Sequence, residues 1–323
     1  MDNHEKSFED ILRDVKQRFE PAEPEEEELE AFPLMDTVDK EILMHREAHF
    51  GGKFLIMLEY YAVGGKGVHP EFDIKRIEKL HEIETTMQEN LAPILLSGSD
   101  AEKIGQAKDA YKSLRELYEQ ENPRSKLPKL IADLILSEEE EAEEEVQAII
   151  QEKNKIIPLL LDLLKSEDFH DPLFPGYGHA PFLAAKCLGL MGEERAIFSL
   201  FESLGDGDFW DEKMVLQALA HSGDPAKEFL LKVIASQPIE EDNERAALAL
   251  IAFQDDPRVG ETCLKLLQKP GIFEHDSFAT YLILVCEGIK NSDQRKEFGA
   301  LLERDDVPDH LKADIQAIVN SWK

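Results

Sequence analysis

Histidine and carboxylate side chains are concentrated in the stretch EDFHDPLFPGYGHAP (167–181). Imidazole and carboxylate groups are ligands that zinc and related ions accept, so His170, Asp171 and His179, together with His275 from a later segment, could bind a metal. Their spacing matches no metal-binding motif. We therefore predict no metal site and no cofactor. A metal-assisted enzyme that uses His170 and His179 is kept as the alternative function.

Glu41, His45 and His49 recur at every fourth residue, which places them on one face of a helix. The HExxH pattern of zinc proteases is missing from this stretch, so we interpret the three residues as part of a polar helix surface. Nowhere do a nucleophile, a base and an orienting acid recur together. We therefore predict no catalytic residues and favour a binding protein over an enzyme.

Aromatic, histidine and acidic residues recur in the segments 167–180, 205–211 and 269–276, which are expected to connect helices. Such side chains suit recognition of a peptide or of a basic segment. We therefore predict a partner-binding edge made of the following residues: Phe169, His170, Phe174, Tyr177, His179, Phe209, Trp210, Asp211, Glu274 and His275. Alternatively, these aromatic groups fold back over the ends of their own helices.

One short pattern recurs four times in the segment that must position this edge. It is a leucine followed four residues later by a turn residue, in the pairs Leu188/Gly192, Leu219/Gly223, Leu250/Gln254 and Leu284/Gly288. The successive leucines are 31, 31 and 34 residues apart, which is typical of helix-pair repeats. Because Gln254 replaces a glycine, we expect a different turn there.

The residues around each pattern predict two helices joined by that turn. Alanines such as Ala185, Ala218 and Ala246 lie on the inward stripe of the first helices, where small side chains let neighbouring units stack. Pro93, Pro128 and Pro158 each precede an apolar run and indicate second helices of earlier units. We also expect an acidic helix over 138–152 that begins at Ser137, and a last helix over 307–322 that covers the end of the stack.

The segments AAKCLGLMGEERA (184–196) and VLQALAHSGDPA (215–226) resemble HEAT repeats, in particular the short variety of phycobilin-lyase-type proteins. The resemblance covers 180–322 well and 72–179 loosely. It implies an all-α fold, an α-α superhelix or HEAT-like solenoid, that serves mostly as a protein-binding scaffold.

Deoxyhypusine hydroxylase, an enzyme family of the same fold, carries His-Glu pairs that bind two irons. The matching positions in this chain carry other pairs: Phe182-Leu183, Lys213-Met214, Glu244-Arg245 and Phe278-Ala279. The resemblance therefore does not extend to that activity.

Three regions follow from these patterns. Residues 1–32 are predicted to form an amphipathic helix, with Phe8, Ile11, Leu12, Val15 and Phe19 on one face, followed by an acidic tether. Residues 33–123 form an N-terminal helical region with a break at Gly51 and Gly52. Residues 124–323 form the HEAT-like repeats and their capping helix.

The charge and the cysteines restrict the partners. With 36 basic and 68 acidic residues the net charge is -32, which repels nucleic acid and anionic membranes and favours a protein or peptide partner, in particular a basic one. No long apolar run and no signal peptide are apparent, so we expect a soluble cytoplasmic protein. Cys187, Cys263 and Cys286 lie in apolar helical stripes and are expected to be buried free thiols.

These features predict a protein-interaction scaffold or adaptor that binds a segment through its inter-repeat loops or its concave face. A third possibility is a chaperone-like binder whose N-terminal helix occupies its own groove until it is displaced. The sequence leaves the oligomeric state open.

Overall fold

The computed structural model describes residues 36–119, 125–139, 141–205 and 209–322, with the backbone alone for 209–211. Within these ranges the regular elements are helices and no strand occurs, which confirms the predicted all-α class. The predicted amphipathic helix and acidic tether of residues 1–32 lie outside the described residues. None of the described helices combines the length and the apolar character needed to cross a membrane.

The described part of the N-terminal region forms helices α1 (Thr37–His49), α2 (Phe54–Val63), α3 (Ile74–Met87), α4 (Ala92–Leu95) and α5 (Gly98–Glu119). Gly51 and Gly52 both adopt positive φ angles, of 59° and 74°, and make the predicted break between α1 and α2. Asp73 caps α3, because its side chain accepts a hydrogen bond from the backbone N–H of Lys75 at 3.0 Å.

The remainder of the chain continues with α6 (Leu127–Leu136), α7 (Glu143–Ile150), α8 (Ile157–Leu164), α9 (Glu167–His170), α10 (Ala180–Leu190), α11 (Ile197–Glu202), α12 (Phe209–His221), α13 (Asp224–Ile234), α14 (Glu241–Leu250), α15 (Pro257–Leu267), α16 (Asp276–Val285), α17 (Ser292–Gly299) and α18 (Asp309–Ser321). Pro128 and Pro158 lie in the first turns of α6 and α8, as predicted. Proline is tolerated there because its missing N–H would have no partner within the helix.

Alternate helices pack on one another along the chain. In one layer α7 packs on α10, α10 on α12, α12 on α14, α14 on α16 and α16 on α18. In the other layer α8 contacts α11, α11 contacts α13 and α15 contacts α17. The ammonium group of Lys227 in α13 bridges to Asp256 at the start of α15, with an N···O distance of 2.5 Å. One continuous apolar core, from Leu114 to Ile318, runs through these contacts.

Two of the turns between helices touch each other. Gln254 follows a 3-10 helix and has a φ of -57°, so its turn differs from those at Gly192 and Gly223, where φ is positive, but resembles the 3-10 helix that ends at Gly288. Its carbonyl oxygen lies so close to Gly288 that a Cβ placed on that glycine would approach it to 2.1 Å. A larger residue at position 288 would therefore push the two adjacent turns apart.

The acidic helix differs from the prediction. It runs from Glu143 to Ile150 and is preceded by Ala142 with a φ of 42°, while Ser137 ends α6 instead of beginning the acidic helix. The prediction of Ser137 as an N-cap is therefore wrong. Crowding of glutamates at 138–145 opposes helix formation by self-repulsion, and the chain forms the helix only where Val146 and Ile149 are buried.

The N-terminal helices have a core of their own, to which Ile42, Leu43, Phe54 and Tyr61 contribute. The Arg46 side chain is fully buried at its edge. It donates hydrogen bonds to Glu84 at 2.7 Å and Asn90 at 2.8 Å, and its guanidinium lies 4.3 Å from the centre of the Phe54 ring.

Candidate functional site

The loop 171–179 connects α9 and α10 and forms the centre of the predicted partner-binding edge. It packs against the N-terminal helices. Phe174 and Leu173 are buried against Ala48 of α1 and against Ile104 and Ala107 of α5. Lys103 of α5 forms an ion pair with Asp171. Phe174 therefore joins the loop to α1 and α5 and is not exposed to a partner.

The neighbouring residues of this edge are also used within the chain. Phe169 packs half-buried against the main core. The His170 Nε2 lies 3.1 Å from the carbonyl oxygen of Leu164, and its ring meets that of Phe182 edge-on at 5.1 Å. His179 is half-buried at the start of α10 and its backbone N–H donates to the Gly176 carbonyl at 3.0 Å.

The other predicted residues lie further along the chain, at the starts of α12 and α16. Phe209, Trp210 and Asp211 occupy the first turn of α12, but their side chains lie outside the described part. Glu274 is exposed and His275 is half-exposed at the start of α16. Among the described residues, no three His, Cys, Asp or Glu side chains are grouped so that they could hold a metal ion.

The loop instead completes a cluster that the sequence reasoning did not assemble. We define the histidine–tyrosine joint as His45, His49, Tyr60, Tyr111 and Tyr177. The ring of Tyr177 lies 4.7 Å from that of His49 and covers Gly67, where an added Cβ would approach the Tyr177 ring to 2.3 Å. Only glycine allows the loop 63–70 to pass under this ring.

Both nitrogens of His49 have partners. The Nε2 lies 3.0 Å from the Pro172 carbonyl oxygen, which can only accept, so Nε2 carries the proton. The Nδ1 of the neutral ring carries no proton, so it accepts a hydrogen bond from the Tyr111 hydroxyl, 2.8 Å away. Burial lowers the pKa of His49 to about 4. The imidazole is thus neutral near pH 7 and holds the loop to α1 and α5.

His45 lies deeper in the same joint. Its ring packs edge-on against Phe72 at 5.0 Å and lies 5.2 Å from that of His49 and 5.9 Å from that of His69. Burial, together with His49, His69 and Lys103 nearby, lowers the pKa of His45 to about 3. The interpretation of His45 as part of a polar helix surface is therefore wrong, because its side chain faces the joint.

The tyrosines of the joint act as hydrogen-bonding groups. Tyr60 donates to Glu138 at 2.8 Å and accepts from the backbone N–H of Gly67 at 2.9 Å. Burial raises the pKa of the Tyr60 hydroxyl well above its ordinary value. The hydroxyl is therefore protonated near neutral pH. With neutral histidines and protonated tyrosines, the joint carries no net charge near neutral pH.

Two features of the outer surface remain available to a partner. An acidic groove between α6 and α7, with a volume of about 540 Å³, is lined by Tyr118, Leu130, Asp133, Leu136, Ser137, Glu138, Glu139, Glu144, Glu145 and Ala148. On α11, the Phe198 side chain is 61% exposed. The sequence patterns single out neither the groove nor Phe198.

Comparison with models of known protein families and with curated proteins finds no match to this chain.

Proposed function

We propose that this chain is a HEAT-like α-solenoid that acts as a protein-interaction scaffold, and that a partner segment binds along its second helices at Phe198. The packing of α10 on α12 and of α14 on α16 supports the architecture, together with the resemblance of 184–196 and 215–226 to HEAT repeats. Stacked helix pairs present one helix of each unit along an extended surface, which repeat proteins use for binding.

The single observation that carries the proposal is the exposure of Phe198. Pro158, Phe198, Glu228 and Glu261 each stand two residues before a core residue that is fully buried, so they share one position in their helices. Three of the four are proline or glutamate. Phe198 is 61% exposed at this position, and an aromatic side chain of that exposure is a strong candidate for a binding anchor.

The Phe198 ring is in contact with another aromatic ring that lies closer to the core. The Phe229 ring of α13 is half-buried and meets the Phe198 ring edge-on at 6.5 Å. Phe229 in turn packs against the buried Phe201 at 5.3 Å. These contacts fix the positions of the three rings, so the apolar surface exists before a partner binds. Binding therefore costs little side-chain entropy.

The charges around Phe198 indicate the kind of partner. Glu202 lies one helical turn beyond Phe198 on α11 and is exposed, whereas the exposed Glu228 on α13 pairs with Arg258 of α15 at 2.7 Å. In a chain of net charge -32, the Glu202 carboxylate favours basic residues in the bound segment. The proposed ligand is therefore a peptide with an apolar or aromatic anchor flanked by lysine or arginine.

The test is to select binding peptides from a random library and to measure their affinities by fluorescence anisotropy. Phe198→Ala is expected to weaken binding roughly tenfold or more, because it removes the anchor surface. Glu261→Ala changes the same helix position on α15 and serves as the matched control, for which we expect unchanged affinity. Full affinity in Phe198→Ala, or equal losses in both variants, would contradict the proposed binding surface.

The inter-repeat loops are the other surface within this proposal. Trp210→Ala in the first turn of α12 tests them with the same peptides. A loss in Trp210→Ala that exceeds the loss in Phe198→Ala would move the binding surface to the loop edge.

A further inference from the structure

Helix α2 exposes an apolar face that the described residues do not cover. Its sequence, FLIMLEYYAV, contains a single charged residue, Glu59. Phe54, Met57 and Tyr61 point into the N-terminal core. On the opposite side three large apolar side chains are exposed: Leu55 at 66%, Ile56 at 46% and Val63 at 77%.

This arrangement is unusual for a helix on a protein surface. Surface helices normally carry polar residues on their outer side, whereas a helix that is apolar on all sides is normally buried. We define the outer face of α2 as Leu55, Ile56, Ala62 and Val63, which surround the exposed Glu59 on the same side of the helix. Exposing this face to water is unfavourable, and a covering segment would remove the cost.

The chain itself supplies a segment of matching chemistry. Residues 5–19 carry apolar side chains at spacings of three and four: Phe8, Ile11, Leu12, Val15 and Phe19. The same segment contains four basic and four acidic residues, so it is neutral in a chain whose net charge is -32. The neutral segment is therefore not repelled by the acidic surface of the molecule, whereas a negatively charged segment would be.

Residues 20–35 connect this segment to the start of α1 and are long enough for it to reach α2. The described chain begins at Asp36, and the Asp36 carboxylate pairs with the guanidinium of Arg76 on α3. Helix α3 packs directly on α2. Residues 20–35 can span up to about 50 Å when extended, which far exceeds the ~15 Å length of a ten-residue helix such as α2.

We infer that residues 5–19 cover the outer face of α2 within the same molecule. A second copy of the chain would compete for this face, but a tether of this length holds the segment at an effective concentration of roughly millimolar. The intramolecular contact therefore dominates in dilute solution. This inference does not depend on the proposed binding at Phe198, which lies on α11.

Cysteine cross-linking of the full-length chain tests the inference. The variant Leu12→Cys with Val63→Cys places one thiol in each proposed partner, and Leu12→Cys with Lys265→Cys on α15 is the matched control. Cys187, Cys263 and Cys286 are buried and do not compete. We expect the first pair to form a disulfide within one chain at least about tenfold faster than the control pair, because the segment is held next to α2.

A third variant adds Ile11→Asp to the first pair and breaks the apolar stripe. Its cross-linking rate should fall to that of the control pair. Equal rates for the Val63 and Lys265 pairs would overturn the inference, as would a rate unaffected by Ile11→Asp. A product in which the disulfide joins two chains would also overturn it and would assign the face to a second copy.

Discussion

Gly189 in α10 lies directly against Ala218 in α12, so closely that a Cβ placed on Gly189 would come within 2.4 Å of the Ala218 Cα. The two backbones approach because neither residue carries a large side chain. This contact lies near the C-terminal ends of α10 and α12. The small residues in the first helices therefore allow the backbones of neighbouring helices to approach each other closely.

Replacing Gly189 by alanine is expected to lower the free energy of unfolding by about 1–3 kcal/mol. The added methyl group meets backbone atoms of α12, which cannot move without shifting the helix, and this overpacking outweighs the gain in helix propensity. The unfolding midpoint in urea, followed by circular dichroism, measures the change.

Gly105 provides the control for this variant. It lies within α5 and an added Cβ there would meet no atom within 4 Å. Gly105→Ala should therefore stabilise the protein by about 0.5–1 kcal/mol through reduced entropy of the unfolded chain. Destabilisation of similar size in both variants would argue against the close contact of α10 and α12.

Buried Arg46 is predicted to contribute far more to stability than the exposed Arg195. Arg46→Ala leaves the Glu84 and Asn90 side chains without their buried partner, and we expect a loss of about 3 kcal/mol or more. Arg195 pairs with Glu193 at the surface, so Arg195→Ala should leave the melting temperature unchanged. Thermal unfolding of the two variants checks this, and similar melting temperatures would contradict the buried role of Arg46.

Stability is expected to fall as the pH decreases from about 6.5 towards 4. Burial lowers the pKa of His45 to about 3 and that of His49 to about 4, whereas both titrate near 6.5 when unfolded. Below that pH the unfolded state binds more protons, so each histidine costs up to about 1.4 kcal/mol per pH unit. Above about 6.5 their contribution to stability is complete. Urea unfolding at about pH 7.5 and at about pH 5 measures the difference.

The double variant His45→Phe with His49→Gln isolates this effect. It removes both titrating groups of the joint while keeping an aromatic ring at position 45 and an amide that can donate to Pro172. Its stability should change much less than that of the native protein between these two pH values. An unchanged pH dependence would show that other groups cause it.

The three thiols are predicted to resist modification in the folded protein. Cys187, Cys263 and Cys286 are buried, and burial raises the pKa of Cys187 to about 12, so little thiolate is present. A thiol reagent should label none of them under native conditions and all three in denaturant. Rapid labelling of the native protein would contradict the packing of α10, α15 and the segment after α16.

Part of the fold was predictable because its signal is local. The break at Gly51 and Gly52, the prolines in first turns and the burial of Cys187 follow from residues adjacent in the chain, and the structure agrees. Ser137 was misassigned because a serine suits either end of a helix, and the choice depends on which apolar residues become buried.

The candidate site was less predictable because it is formed by distant segments. The Nε2 of His49 lies next to the Pro172 carbonyl oxygen although the two residues are 123 positions apart in the sequence. The hydrophobic pattern of neither segment indicates that contact. The spacing of His45 and His49 shows a shared helix face but not what covers it. For the same reason, the sequence does not reveal that Leu55 is 66% exposed although it lies in an apolar run.

The sequence by itself determined the all-α class, because helix periodicity and turn residues act over a few neighbouring positions. Only the tertiary structure decided that Phe174 is buried against α1 and α5 and that Phe198 faces solvent. Both are phenylalanines in apolar surroundings, and their burial depends on which surfaces meet when distant helices pack.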